Sequence, residues 1–183
     1  EGQYTGYPTA WLRFFLCNLQ CDGFGQVDPT DPESYKLPYK DVIATDYKRI
    51  EDLPVFEYGC DSSYSWSKKF AHLQHKKTAE EIAKELLNVL PNNRFGDTTH
   101  LCLTGGEPLL KHGQSATLEI MDWLVGHHEQ YISSLTFETN GTQKLTEDFV
   151  NYWMESDQSM NTELFFSVSP KLWTVAGEKR EKA

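Results

Sequence analysis

The sequence predicts an α/β fold in which a parallel sheet curves into a partial (βα) barrel. Short apolar runs alternate with helical patterns, and from the second run onward each unit takes roughly thirty residues, as a βαβ crossover does. Each unusual polar motif directly follows a predicted strand, at the edge where parallel α/β folds bind ligands. The 183 residues are 39% hydrophobic and 24% charged, which is enough for one domain with its own core.

The first half of the chain contains one strand, one long irregular segment and one helix. The strand is predicted over residues 9–16, an apolar run that includes Arg13. Residues 22–59 are rich in Pro and Asp and lack a helical period, so we expect an inserted loop within a single domain of residues 1–183. A helix then begins at the capping box Thr78-Ala79-Glu80-Glu81, with the apolar stripe Ile82, Leu86, Val89 and Leu90.

The second half repeats strand and helix. Strands are predicted over residues 100–103, 135–137 and 164–168. Between them, one helix is predicted over residues 115–127, with Leu118, Met121, Leu124 and Val125 facing inward, and another follows Thr146, with Phe149, Val150 and Trp153 facing inward. We expect the charged residues within 80–85 and 178–182 to lie on solvated surfaces.

Composition and charge exclude several functional classes. The net charge is −10 and the pI is about 5.0, which argues against a nucleic-acid partner or an anionic membrane surface. No apolar run approaches the ~20 residues that span a bilayer, and no signal peptide is recognisable. Four cysteines in a chain of this length do not indicate a disulfide scaffold, so we expect a cytoplasmic location.

Three cysteines are the strongest chemical signal. Cys17, Cys21 and Cys60 could bind three irons of an iron–sulfur cluster and leave the fourth iron open to a small molecule. Buried thiols that pack as small hydrophobic groups are the simpler alternative. A zinc site normally needs four ligands, and Cys102, the remaining cysteine, lies in an apolar strand and is interpreted as core.

Three polar turns follow the later strands. They are Thr104-Gly105-Gly106-Glu107-Pro108, Glu138-Thr139-Asn140-Gly141 and Ser169-Pro170-Lys171. The glycines of the first turn would let the backbone meet the ammonium and carboxylate of a ligand, and Glu107 could accept a hydrogen bond from that ammonium. Each turn taken alone is also consistent with an ordinary connection between a strand and a helix.

Arg13 lies within the first predicted strand. If its guanidinium is buried, it must be paired, and a carboxylate substrate is a suitable partner. An internal ion pair with Glu1 is an equally good interpretation.

Several segments occur in the order found in one enzyme superfamily. They are Glu1-Gly2, the strand Gly6-Tyr7-Pro8-Thr9-Ala10-Trp11-Leu12-Arg13-Phe14, the tripeptides Cys17-Asn18-Leu19 and Cys60-Asp61-Ser62, Tyr64-Ser65-Trp66, and the three polar turns. In this order the chain resembles radical S-adenosylmethionine enzymes, and most closely the 7-carboxy-7-deazaguanine synthase family. The Gly-Gly-Glu-Pro turn is shared by many radical enzymes. The resemblance to this one family within them depends on Arg13, Cys60-Asp61-Ser62 and Ser169-Pro170-Lys171.

The resemblance implies an activity and a set of site residues. The activity is the radical-mediated ring contraction of 6-carboxy-5,6,7,8-tetrahydropterin with loss of ammonia. A 4Fe–4S cluster would be bound by Cys17, Cys21 and Cys60, and Mg²⁺ by Ser62. The pterin would contact Glu1, Gly2, Arg13 and Thr104. S-adenosylmethionine would be held by Gly106, Glu107, Thr139, Asn140, Ser169, Pro170 and Lys171.

The chain also departs from the family pattern. Phe24 stands where the compact Cys-x3-Cys-x2-Cys motif has its third cysteine, so Cys60 must return across the insertion, and Ser62 replaces a threonine. The resemblance further implies a homodimer and flavodoxin or ferredoxin as electron donor, and compared with that family we expect the chain to be shortened at both ends. Two other functions stay open: a different radical enzyme, such as a glycyl-radical activase, and a non-catalytic domain that binds metal through cysteine.

Overall fold

A four-stranded parallel sheet forms the centre of the computed structural model, which describes residues 2–127, 129–155 and 161–179. The strands are β1 (Thr9–Phe14), β2 (His100–Gly105), β3 (Ser134–Thr139) and β4 (Glu163–Val168). They lie side by side in sequence order, and each neighbouring pair is parallel. The predicted α/β class and parallel sheet are therefore confirmed.

Four α-helices accompany the sheet in the described ranges. They are α1 (Ala79–Asn88), α2 (Lys111–Asp122), α3 (Glu147–Glu155) and the short α4 (Trp173–Ala176), and a π-helical turn, Trp123–His127, extends α2. The capping box of α1 is confirmed, because the Thr78 hydroxyl accepts from the Glu81 amide and the Glu81 carboxylate accepts from the Thr78 amide. None of the helices described here has the length and apolar character needed to cross a bilayer.

The start of one helix and two inward positions differ from the prediction. Helix α2 begins four residues before the predicted start at 115, and its N-cap, Leu110, makes no side-chain capping bond, so the sequence carries no start signal there. Val89 is 70% exposed because it is the C-cap of α1 rather than part of its apolar stripe. Val150 on α3 is also exposed.

Helices α1, α2 and α3 pack against one face of the sheet. Parallel strands that follow one another in sequence order, joined by right-handed crossovers, place their helices on the same side. The main core therefore contains alternate strand residues, such as Ala10, Leu101, Leu103, Leu135 and Phe137, together with the apolar faces of these helices. The intervening strand residues, including Cys102, face the opposite side; Cys102 is buried, as predicted, but outside this core.

The predicted insertion folds into 3₁₀ turns around a small apolar cluster of its own. Within residues 15–77 the structure contains no strand and no α-helix. Tyr39, Ala44, Phe56, Phe70 and Leu73 form the cluster.

The two ends of the insertion meet at a neck formed by Phe24, Gly25 and residues 57–59. The Gly59 amide donates to the Phe24 carbonyl at 2.8 Å. Gly25 has φ +71°, and a Cβ there would stand 2.7 Å from the Glu57 carbonyl oxygen. The neck returns the chain to its starting point, so Cys60 comes back beside the end of β1.

The C-terminal segment is partly buried, which corrects the prediction for part of residues 178–182. Ala176, the last residue of α4, is buried, and its carbonyl accepts from the Gly23 amide at 2.9 Å. Glu178 is only 7% exposed because it packs against the loop that contains Cys21. Residues 180–182 lie outside the described part of the chain.

Candidate functional site

A cavity of about 370 Å³ lies at the carboxyl ends of the strands. Most of the predicted site residues in the described chain line it, and they come from both sides of the insertion. These residues are Arg13, Cys17, Cys21, Cys60, Ser62, Thr104, Gly106, Thr139, Asn140, Ser169 and Lys171. Glu107 lies behind this lining, Gly2 belongs to the 3₁₀ turn Gly2–Tyr4, and Glu1 lies outside the described residues.

The three predicted ligand cysteines border the same cavity. They pack with Leu19 and Ala176 in one small cluster, and they are not joined in disulfide bonds. Burial raises the pKa of all three thiols, and the proximity of the Cys60 thiolate raises the pKa of Cys17 and Cys21 further. Ionising these thiols together therefore needs a compensating positive charge, which iron would provide.

The donor set fits an iron–sulfur cluster. Three soft sulfur ligands on one cavity are the ligand type that such clusters use. Among the residues that the structure describes, no three His, Cys, Asp or Glu side chains converge on a single metal ion. A cubane cluster would not require that convergence, because each thiolate would bind a different iron.

Glu107 is fully buried and is fully engaged with the chain. Its carboxylate accepts from the Leu109 amide at 2.9 Å, from the Thr139 hydroxyl at 2.7 Å and from the Asn140 amide at 2.8 Å. These bonds tie the turn after β2 to the turn after β3. The contact of Glu107 with a ligand ammonium stays a prediction.

Asn140 connects these turns to the first cysteine. Its side-chain amide donates to the Asn18 side chain at 3.0 Å and lies 3.9 Å from the Cys17 sulfur. The carboxylate of Glu107 therefore fixes, through Asn140, the surroundings of Cys17.

The glycines of the first turn are required by the chain's own packing. A Cβ at Gly105 would stand 2.1 Å from the Phe14 carbonyl oxygen, and one at Gly106 would stand 2.0 Å from that of Leu16. Gly105 also has φ +120°, which side-chain-bearing residues rarely adopt. The turn therefore approaches the end of β1 closely, while Gly106 still borders the cavity.

Arg13 is exposed, so the premise that its guanidinium is buried and must therefore be paired is wrong. It lies on the face of the sheet opposite the helices, because the alternation along β1 turns Leu12 and Phe14 toward the core. Its guanidinium donates to the Ser62 hydroxyl at 3.4 Å, and no carboxylate in the described ranges forms an ion pair with it. The guanidinium thus stands at the cavity, available to an anionic ligand.

Ser62 fits Mg²⁺ only in part. Mg²⁺ prefers six oxygen ligands, and the cavity offers the Ser62 hydroxyl and the carboxylate of Asp61 beside it. The nearby guanidinium of Arg13 repels a cation. A carboxylate on the bound ligand would supply both the missing oxygens and the missing negative charge.

A second cavity of about 170 Å³ continues along the same face of the sheet. Glu138 and Ser167, which are neighbours on β3 and β4, border both cavities. The Thr104 hydroxyl donates to the Glu138 carboxylate at 2.8 Å, which orients that carboxylate. Trp11 and Phe165 add partly exposed aromatic rings to the smaller cavity.

His100 is a residue of this face that the sequence analysis missed. It is 3% exposed, its ring stacks on Tyr4 at 3.9 Å between centroids, and its nitrogens lie 2.8 Å from the Ser134 hydroxyl and 3.0 Å from the Thr136 hydroxyl. Burial lowers the pKa of His100 to about 4. The alternation of polar residues along β2 and β3 was the signal that could have revealed it.

Glu178 was also missed, and no local pattern marks it. Its partners, Gln20 and Cys21, precede it by more than 150 residues, and the charged segment around it is typical of a solvated surface.

Comparisons with protein-family models, with curated proteins and with solved structures find no match to this chain. The functional assignment therefore depends on the motifs and on the cavity that they border. Three thiols, an exposed guanidinium and polar turns meet there at one edge of a parallel sheet.

Proposed function

We propose that this chain is a radical S-adenosylmethionine enzyme of the 7-carboxy-7-deazaguanine synthase type, acting on 6-carboxy-5,6,7,8-tetrahydropterin. The observation that carries the proposal is the arrival of Cys60 at the cavity of Cys17 and Cys21, although 38 residues separate it from Cys21. In this proposal the four strands belong to a partial (βα) barrel, and the enzyme works in the cytoplasm as a homodimer with flavodoxin or ferredoxin as electron donor.

The cavity residues divide into a cofactor side and a substrate side. The cluster and S-adenosylmethionine, held there, would supply the radical chemistry by which a hydrogen atom is removed from the pterin. The thiols of Cys17, Cys21 and Cys60 would hold the iron. The turns after β3 and β4 would hold S-adenosylmethionine through the cavity-lining residues Thr139, Asn140, Ser169 and Lys171.

The substrate side is built on the face of the sheet opposite the helices. Arg13 would bind the pterin carboxylate through its guanidinium, with Ser62 and Mg²⁺ beside it. The smaller cavity would take the ring between the aromatic side chains of Trp11 and Phe165. Glu138, oriented by Thr104, would accept hydrogen bonds from ring N–H groups.

A radical enzyme that acts on a protein partner would share the cysteines and the Gly-Gly-Glu-Pro turn. Two features favour a small acidic substrate instead. The guanidinium of Arg13 is exposed at the cavity, and the adjoining cavity of about 170 Å³ has the size class of a single ring system rather than of a protein segment.

The proposal is tested by anaerobic iron–sulfide reconstitution followed by turnover. We expect about four irons per chain, visible charge-transfer absorption, and 7-carboxy-7-deazaguanine by mass spectrometry after addition of 6-carboxytetrahydropterin, S-adenosylmethionine and dithionite. Cys60→Ser should lose the cluster. Cys102→Ser is the matched control and should keep it, because Cys102 borders only the smaller cavity.

Three results would argue against the proposal. Equal iron loss in Cys60→Ser and Cys102→Ser would show that Cys60 is not a specific cluster ligand. Cleavage of S-adenosylmethionine without any change in the pterin would favour another radical enzyme. Tight zinc binding without charge-transfer absorption would favour a non-catalytic domain.

A further inference from the structure

The carboxylate of Glu178 lies against the loop that contains Cys21. It is 7% exposed, and one of its oxygens accepts hydrogen bonds from the backbone amides of both Gln20 and Cys21, each at 2.5 Å. Hydrogen bonds to an ionised acceptor are among the stronger ones in proteins. The C-terminal segment is thus hydrogen-bonded to the backbone of Cys21, a predicted cluster ligand.

The backbone at Cys21 needs such support. Cys21 has φ +56°, a left-handed conformation that is uncommon for residues with a side chain and persists where the surroundings enforce it. The two amides held by Glu178 belong to this residue and to the one before it. Fixing both amide directions fixes the peptide plane between them, and together with the φ of Cys21 this sets the direction of its Cα–Cβ bond.

A close backbone crossing holds Glu178 in place. The Gly23 amide donates to the Ala176 carbonyl, and a Cβ at Gly23 would stand 2.5 Å from the Gly177 nitrogen. Gly177 has φ +66°, and a Cβ there would stand 2.1 Å from the Tyr35 hydroxyl oxygen. The two segments can cross this closely because both residues at the crossing, Gly23 and Gly177, lack a side chain. The crossing therefore fixes the position of Glu178, the residue that follows Gly177.

We infer that Glu178 is a positioning residue that holds Cys21 in the orientation required of a cluster ligand. The inference rests on the proposed function because it takes Cys21 as a ligand. The negative charge of Glu178 has a second consequence: beside the thiolates it favours the oxidised, less negative cluster and so lowers the reduction potential.

The metal-free full chain tests the positioning role without turnover. Iodoacetamide labelling of Cys21, followed by peptide mass spectrometry, reports how often the loop opens. Glu178→Ala should raise the labelling rate about tenfold or more, since even one charge-assisted hydrogen bond shifts an opening equilibrium by that factor. Glu178→Gln keeps an acceptor oxygen and should stay close to the wild type. Glu119→Ala removes an exposed carboxylate on α2, away from the site, and is the control.

The reconstituted protein tests the effect of the Glu178 charge on the cluster. Glu178→Gln should assemble the cluster and raise its reduction potential, because the charge is lost while an acceptor remains. Glu119→Gln, on the exposed face of α2, should leave the potential unchanged. If Glu178→Ala does not fold, amide hydrogen exchange in the wild type decides, and rapid exchange of the Gln20 and Cys21 amides would overturn the inference.

Two further outcomes have distinct meanings. Unchanged Cys21 labelling in a folded Glu178→Ala variant overturns the positioning role. Failure of the wild type to assemble any cluster overturns the proposed function, even if the labelling rates change as expected.

Discussion

Replacing Glu107 with glutamine tests the link between the turns that form the cavity. Both carboxylate oxygens of Glu107 face donors only: the Leu109 amide and the Thr139 hydroxyl on one oxygen, and the Asn140 amide on the other. A glutamine side chain must place its own NH₂ group against at least one of these donors. No rotation of the amide removes that conflict.

The expected cost follows from the bonds lost. Hydrogen bonds to a charged group contribute about 1.5–3 kcal/mol each, and a buried donor left without a partner costs about 1–3 kcal/mol. The mildest arrangement loses the bond to the Asn140 amide and leaves that amide unpaired. We therefore expect Glu107→Gln to lower the free energy of unfolding by about 2–4 kcal/mol at neutral pH.

Urea unfolding followed by circular dichroism measures this loss. Glu119→Gln, an exposed change of the same chemistry on α2, is the control and should shift the free energy by less than about 0.5 kcal/mol. A Glu107→Gln variant as stable as this control would refute the reasoning. Because Asn140 lies against Cys17, the unstable variant should also retain less iron after reconstitution.

Two further predictions concern buried groups next to the site. The pKa of His100 is lowered by burial to about 4, so the unfolded chain binds a proton that the folded chain does not between about pH 6.5 and pH 4. The free energy of unfolding should fall by up to about 3 kcal/mol as the pH drops through this window. His100→Gln should remove most of this pH dependence. Parallel pH profiles of the variant and the wild type would show that His100 does not cause it. Gly106→Ala should destabilise the fold by at least about 2 kcal/mol in the same urea assay, because the added Cβ would meet the Leu16 backbone. Gly96→Ala is the control: its Cβ would meet nothing within 4 Å, so its free energy of unfolding should stay within about 1 kcal/mol of the wild type.

The sheet and most of its helices could be predicted because their signals are local. The Thr78 capping box marks the start of α1, and apolar runs mark all four strands to within two residues at their ends. The position of the polar turns follows from parallel topology, since the carboxyl ends of the strands share one edge. Local signals were thus sufficient to bring most of the predicted cavity residues together.

The remaining features depend on contacts between distant segments. The start of α2 at Lys111 has no capping side chain, so tertiary packing rather than sequence sets it. Burial of Glu178 follows from its bonds to Gln20 and Cys21, which no pattern around residue 178 reveals. The exposure of Arg13 follows from strand alternation, but its position within an apolar run suggested burial instead.

The neck of the insertion makes the position of Cys60 at the site largely independent of the length of the inserted segment. The bond between Gly59 and Phe24 fixes the span that any intervening segment must bridge, and the entropy of closing a loop grows only logarithmically with its length. A change of length within residues 26–56 therefore costs little closure entropy, provided that the neck and the packing of Tyr39 and Phe56 on Phe70 are kept. A segment inserted between two cysteines can in this way leave their arrangement in space unchanged.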